Sequence, residues 1–130
     1  MDEVVLHLPR SADAELHAVA ALDRLLAGHP VEERAAGQAR IALLEACLNA
    51  LEYSAPSPKP VDVTMALEAG ELKITVGNPG AIRPRQSSPF RGHGLRIIQN
   101  FMDRVQFRTD ASGTRVEMTK RVSSGNPGAN

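Results

Sequence analysis

The stretch Arg40-Ile-Ala-Leu-Leu-Glu-Ala-Cys-Leu-Asn-Ala-Leu-Glu-Tyr53 decides the reading of this chain. Its residues favour a helix, and on a helix side chains four apart share a face. Glu45 and Asn49 therefore project together, a carboxylate able to take a proton beside a carboxamide oxygen able to ligate a hard cation. Alone, such a pair reads more readily as a solvated helix face. Two later features change the weighing: the glycine pair of Gly92-His-Gly-Leu95, and Gly113-Thr114. A glycine pair opening a helix leaves backbone N–H groups unobstructed for an oligophosphate. In this order the pieces suggest a magnesium–nucleotide site.

On the N-terminal side of that helix, Val4, Leu6 and Leu8 alternate with more polar positions until Pro9, which predicts a strand over 3–8. Ser11 reads as the N-cap of a helix over 12–26, with Leu16, Val19, Leu22, Leu25 and Leu26 as its apolar stripe and Gly28-His-Pro30 as its stop. The second helix is expected from near 31–34 to about Tyr53. Ile41, Leu44, Leu48 and Leu51 form its expected core stripe, and Gly37 is a candidate break.

On the C-terminal side, residues 54–60 contain three prolines and read as a loop. Val61, Val63, Met65 and Leu67, then Leu72, Ile74 and Val76, alternate on either side of Ala69-Gly70, which predicts a hairpin with one buried face. Residues 77–91 read as a mobile loop over the site. Leu95, Ile97, Ile98, Phe101 and Met102 mark a helix over about 94–104, followed by strands over 105–109 and 114–121. The domain is expected over 1–122, with residues 123–130 a disordered tail. The order β-α-α-β-β-loop-α-β-β implies an α+β fold, a two-layer α/β sandwich: a mixed, mostly antiparallel sheet with helices on one face.

Composition narrows the classes. The 130 residues suit one domain, and 15 acidic residues balance 15 basic ones with no like-charged run. With one Tyr and three Phe besides, nothing resembles a basic, aromatic-studded nucleic-acid surface, so proteins or small molecules are the expected partners. Cys47 is the sole cysteine, which excludes an internal disulfide and a Cys-rich metal site and suits a reducing cytoplasm. The first nine residues are acidic and too short for a signal peptide, and no segment has bilayer-spanning length. A soluble cytoplasmic protein is expected.

These motifs carry a resemblance. Glu45-Ala-Cys-Leu-Asn49-Ala-Leu-Glu-Tyr53 resembles the N-box of the Bergerat-fold, histidine-kinase-like ATPases, and Gly92-His-Gly-Leu-Arg-Ile-Ile98 with Phe101-Met-Asp-Arg-Val105 is similar to the glycine box of the anti-sigma serine kinases. Gly113-Thr-Arg-Val-Glu-Met118 looks like their last strand, so the resemblance covers nearly the whole chain. It implies ATP and Mg2+ as ligands, with Asn49 on the metal and Glu45 as the general base for a serine hydroxyl attacking the γ-phosphate. Gly92, His93, Gly94 and Leu95 fall in the implied phosphate loop, Gly113 and Thr114 beside adenine, and Arg83, Arg85 and Arg91 in a position to add charge. Where the family has an Asp-x-Gly-x-Gly motif whose Asp accepts from the adenine amino group, this chain has Gly77-Asn78-Pro79-Gly80; Asn78 keeps an acceptor oxygen but loses the charge, and Tyr53 stands where His is common.

By that resemblance the chain is expected to bind a sigma factor and phosphorylate a STAS-domain anti-anti-sigma partner, with dimerisation also implied. A binding module of the same fold without kinase chemistry is the alternative, favoured by Asn78. A histidine-kinase fragment is less well supported, because His17 is followed by Ala18 and Val19 and not by an acidic residue.

Overall fold

Alternating apolar residues build a five-stranded sheet with one buried face. The computed structural model describes residues 2–52, 59–79 and 89–123. Its elements run β1 (Asp2–Leu8), α1 (Ala14–Leu26), α2 (Glu33–Glu52), β2 (Val61–Glu68), β3 (Glu71–Pro79), α3 (Pro89–Phe101), β4 (Arg104–Asp110) and β5 (Gly113–Arg121). The strand order is β1-β2-β3-β5-β4. Every neighbouring pair is antiparallel, so the sheet is not mixed as expected. The reason is topological: β4 lies at the edge and β5 turns back from it into the slot beside β3.

Val61, Val63, Met65 and Leu67 of β2, Leu72, Ile74 and Val76 of β3, and Val116 and Met118 of β5 are buried on the helix-covered side. The alternate residues form the other face, where Arg108 and Arg115 both donate to Glu117, at 3.0 and 3.2 Å. Those two guanidinium groups hold the Glu117 carboxyl below its ordinary range. The β2–β3 hairpin turns through Ala69 and Gly70 at φ 53° and 80°, the left-handed pair that matches the twist of antiparallel strands.

The helices bury small residues more than the expected leucine stripes. α1 begins at Ala14 after Asp13, which is left-handed at φ 66°; Ser11 is not the cap, and its carbonyl instead accepts from the Ala14 N–H at 3.3 Å. Ala14, Ala18, Ala21, Leu22, Leu25 and Leu26 are buried, Val19 is half-buried, and Leu16 is 54% exposed. α2 passes unbroken through Gly37. It buries Ala35, Ala36, Ala39, Ala42, Leu43, Ala46 and Cys47, whereas Leu44, Leu48 and Leu51 are half-buried and Ile41 is 42% exposed. Alanines at three- and four-residue spacing let the helix lie close to its neighbours, and the bulkier residues fall on its flanks. Arg40 ties the two helices by donating to Asp23 at 2.8 Å.

Two boundaries also move. β3 continues through Gly77, Asn78 and Pro79 into the expected loop, held by its ladder to β5. α3 starts at Pro89, a residue suited to the first turn because its missing N–H has no intrahelical role there, and ends at Phe101. Asp103 fixes the next corner: its N–H donates to the Thr119 carbonyl at 2.9 Å, and its carboxylate accepts the Arg121 N–H at 2.7 Å. Most of the expected 54–60 loop, residues 80–88 and the tail from 124 lie outside the described residues. Among the described residues, no helix is long and apolar enough to cross a membrane.

Candidate functional site

The β3–β5 ladder pairs Asn78 with Thr114 and Pro79 with Gly113, so two motifs distant in sequence meet at one end of the sheet. The C-terminal turn of α2 is pinned to the same place. The Asn78 Nδ2 donates to the Ala50 carbonyl at 3.0 Å, and Ala50 follows Asn49 directly. Glu45 and Asn49 are both half-exposed, one turn apart, at the flank of the buried face of α2. Asn78 itself is 6% exposed. The C-terminal turn of α2, Asn78 and the Gly-Thr pair are thus brought together.

The glycine pair is placed differently. Gly92 and Gly94 lie inside α3 and not ahead of it: Gly92 falls in the first turn, whose N–H groups have no carbonyl within the helix, and the Gly94 N–H falls in the next turn. Leu95, half-buried, follows in the same helix, which packs against α2. Gly80, Tyr53, Arg83 and Arg85, and the side chains of Arg91 and His93, lie outside the described residues.

Sequence reasoning missed Arg10. Its Nη2 donates to the Asn78 Oδ1 at 2.7 Å, its Nε to the Lys59 carbonyl at 2.7 Å, and its Nη1 to the Ala50 carbonyl at 3.4 Å. The Asn78 oxygen expected to face adenine is thus engaged by a guanidinium. Ala50 contributes one of the last four carbonyls of α2, which have no donor within the helix, and Arg10 and Asn78 supply donors to it. The cation also sits at the negative end of the helix dipole. Partial burial lowers the Arg10 pKa, although a guanidinium remains charged in any working range. No local pattern announces this residue, because its partners come from three other segments.

Among the described residues, no three His, Cys, Asp or Glu side chains gather as a metal cage. The α2 face instead offers one carboxylate and one carboxamide oxygen. Those hard donors fit a Mg2+ ion whose remaining ligands are phosphate and water. An open depression of about 170 Å3 lies where Gly77 has no side chain; Asn78, Pro79, Gly113 and Thr114 line it together with Asp62, Thr75, Ser112 and Arg115. By strand alternation, most of its wall belongs to the sheet face turned away from α2.

The model of the histidine kinase-like ATPase domain matches residues 9–120. The chain belongs to that family. Solved structures agree on the fold. The crystal structure of the RsbU and RsbW domains of Rv1364c from Mycobacterium tuberculosis matches with a TM-score of 0.77 at 20% identity, covering 96% of this chain and 34% of that one. This chain therefore spans about a third of that protein's length. SiaB in the SiaB–SiaC complex structure from Pseudomonas aeruginosa gives a TM-score of 0.62 at 14% identity, covering 90% and 88% of the two chains. The histidine kinase domain of a blue-light activated histidine kinase from Erythrobacter litoralis EL346 gives 0.53 at 17% identity, covering 88% and 61%. No curated protein matches in sequence. Within this ATPase fold, α2 carries the acid–amide pair and the β3–β5 end carries Asn78 and Thr114.

Proposed function

We propose that this ATPase domain binds Mg-ATP and acts as a serine kinase of the anti-sigma type, phosphorylating a STAS-domain partner and binding a sigma factor. The observation that carries the reading is that the C-terminal turn of α2, which bears Asn49, is tied through Ala50 to Asn78, itself paired with Thr114, at one end of a histidine kinase-like ATPase fold. The resemblance to RsbW-containing and SiaB structures supports the partner-switching setting.

In this reading Asn49 would hold Mg2+ through its side-chain oxygen, and the ion would supply charge neutralisation at the phosphates. Glu45 is the general base. Its half-exposed carboxylate, one turn from Asn49, is accessible to an incoming serine hydroxyl and able to accept its proton. Thr114 and Asn78 border the base.

The test is calorimetric titration of Mg-ATP into the wild-type chain and Asn49→Ala, followed by γ-phosphate transfer to a purified STAS-domain protein. Micromolar to sub-millimolar ATP affinity whose magnesium-dependent part is lost in Asn49→Ala, with label appearing on a serine, is the expected result. A folded chain that binds no nucleotide sinks it. One observation favours a second reading, a partner-binding module without chemistry: the Asn78 oxygen is engaged by Arg10 at 2.7 Å. ATP binding without any phosphotransfer, alongside tight partner binding, would establish that alternative.

A further inference from the structure

Buried Asn78 and half-buried Arg10 form a polar cluster whose orientation is chemically fixed. Arginine only donates and a backbone carbonyl only accepts. The Asn78 amide therefore has one arrangement that satisfies both neighbours, with Oδ1 toward Arg10 and Nδ2 toward the Ala50 carbonyl. Three of the five guanidinium N–H groups are engaged by Lys59, Ala50 and Asn78 among the described residues. Two remain among the described residues, together with the second N–H of Asn78 and one lone pair on its oxygen. A carboxylate here would present acceptors alone; this cluster presents mostly donors and a full positive charge.

We propose that Arg10 is a nucleobase-specificity residue: with Asn78 it makes the base-reading position donor-rich, so that a 6-keto purine triphosphate is held at least as tightly as ATP. The proposal rests on the nucleotide reading above. The amino group at position 6 of adenine is itself a donor and meets only one free lone pair, beside a guanidinium that repels its partial positive charge. A 6-keto oxygen instead accepts from a charged donor, the stronger class of hydrogen bond. The competing explanation is that Arg10 and Asn78 merely cap α2 through Ala50. That role predicts lost stability on substitution, with no change in which base is preferred.

ITP separates the two, because it differs from ATP only at position 6 and in the N1 proton that the keto form carries. The experiment titrates Mg-ITP and Mg-ATP into the full chain, Arg10→Gln and Asn78→Asp, with thermal midpoints recorded in parallel. The wild-type chain is expected to bind ITP at least as tightly as ATP. Arg10→Gln should move the ratio of dissociation constants toward ATP by roughly tenfold, the scale of one charged hydrogen bond. Asn78→Asp should move it the same way, and provides a second reading if Arg10→Gln does not fold. Wild-type ATP binding tenfold or more tighter than ITP overturns the base assignment and leaves the nucleotide reading intact. So does a ratio unchanged in both variants while the midpoints fall, which identifies a cap alone. A folded chain that binds neither nucleotide overturns the nucleotide reading and the base assignment together.

Discussion

Glu45 and Asn49 share a face but make separable demands. In the proposed reading Glu45 is a general base, which contributes to the chemical step, and Asn49 a metal ligand, which contributes to binding, so the two substitutions are expected to split the kinetics. Glu45→Gln, which keeps shape and removes the base, should lower phosphotransfer by roughly a hundredfold or more while nucleotide affinity changes by less than about threefold. Single-turnover transfer beside calorimetry checks this. Cys47 illustrates the opposite situation, a reactive residue type made inert by its surroundings. It is fully buried, and desolvation, aided by the Glu15 charge, pushes its thiol pKa up to about 12. In the folded protein it should not react with a disulfide reagent at pH 8, and labelling should appear only with unfolding. The unfolded thiol releases its proton near 9.0, so folding stability is full below that pH and declines as pH rises toward 12. A denaturation series across that window, compared with Cys47→Ala, reads the effect.

At the scale of single elements, two positions carry correctable backbone costs. Gly37 lies within α2, and a methyl group there would meet no atom within 4 Å. Gly37→Ala is therefore expected to raise stability by about 1 kcal/mol, as the helix loses an entropic defect. In the β2–β3 turn, Ala69 has φ 53°, a conformation that costs an alanine more than an asparagine. Ala69→Asn should add roughly 0.5 kcal/mol. Gly70 next to it tolerates nothing larger, because a Cβ would fall 2.7 Å from that of Ser123. Urea midpoints of the three variants, with Gly70→Ala destabilised, test the assignments. The β elements were the most legible in sequence because their buried and solvated residues alternate strictly. The helices were less so: counting leucines pointed to the wrong face of α2, whose buried stripe is mostly alanine.

For the molecule as a whole, that alanine stripe sets how closely helix and sheet approach. Ala42 is wholly buried on the inner face of α2, whereas Ile41 beside it is 42% exposed. Ala42→Leu should overpack the layer and cost about 1–3 kcal/mol. Ile41→Ala should cost less than about 1 kcal/mol, although it removes apolar atoms where Ala42→Leu adds them. Equal costs, measured by chemical denaturation, would contradict the placement of the α2 face.

The sequence by itself determined the order of the elements, the hairpins and the placing of Glu45 and Asn49 one turn apart on α2, because hydrophobic period, turn residues and i, i+4 spacing are local properties. It also pointed to the meeting of Asn78 with Thr114, through the resemblance its motifs carry. Only the tertiary structure decided which helix faces are buried, that the glycine pair lies within α3, and that Arg10 reaches Asn78. Those depend on how close separate segments come and which polar groups are left to pair once they do. No single segment encodes either quantity.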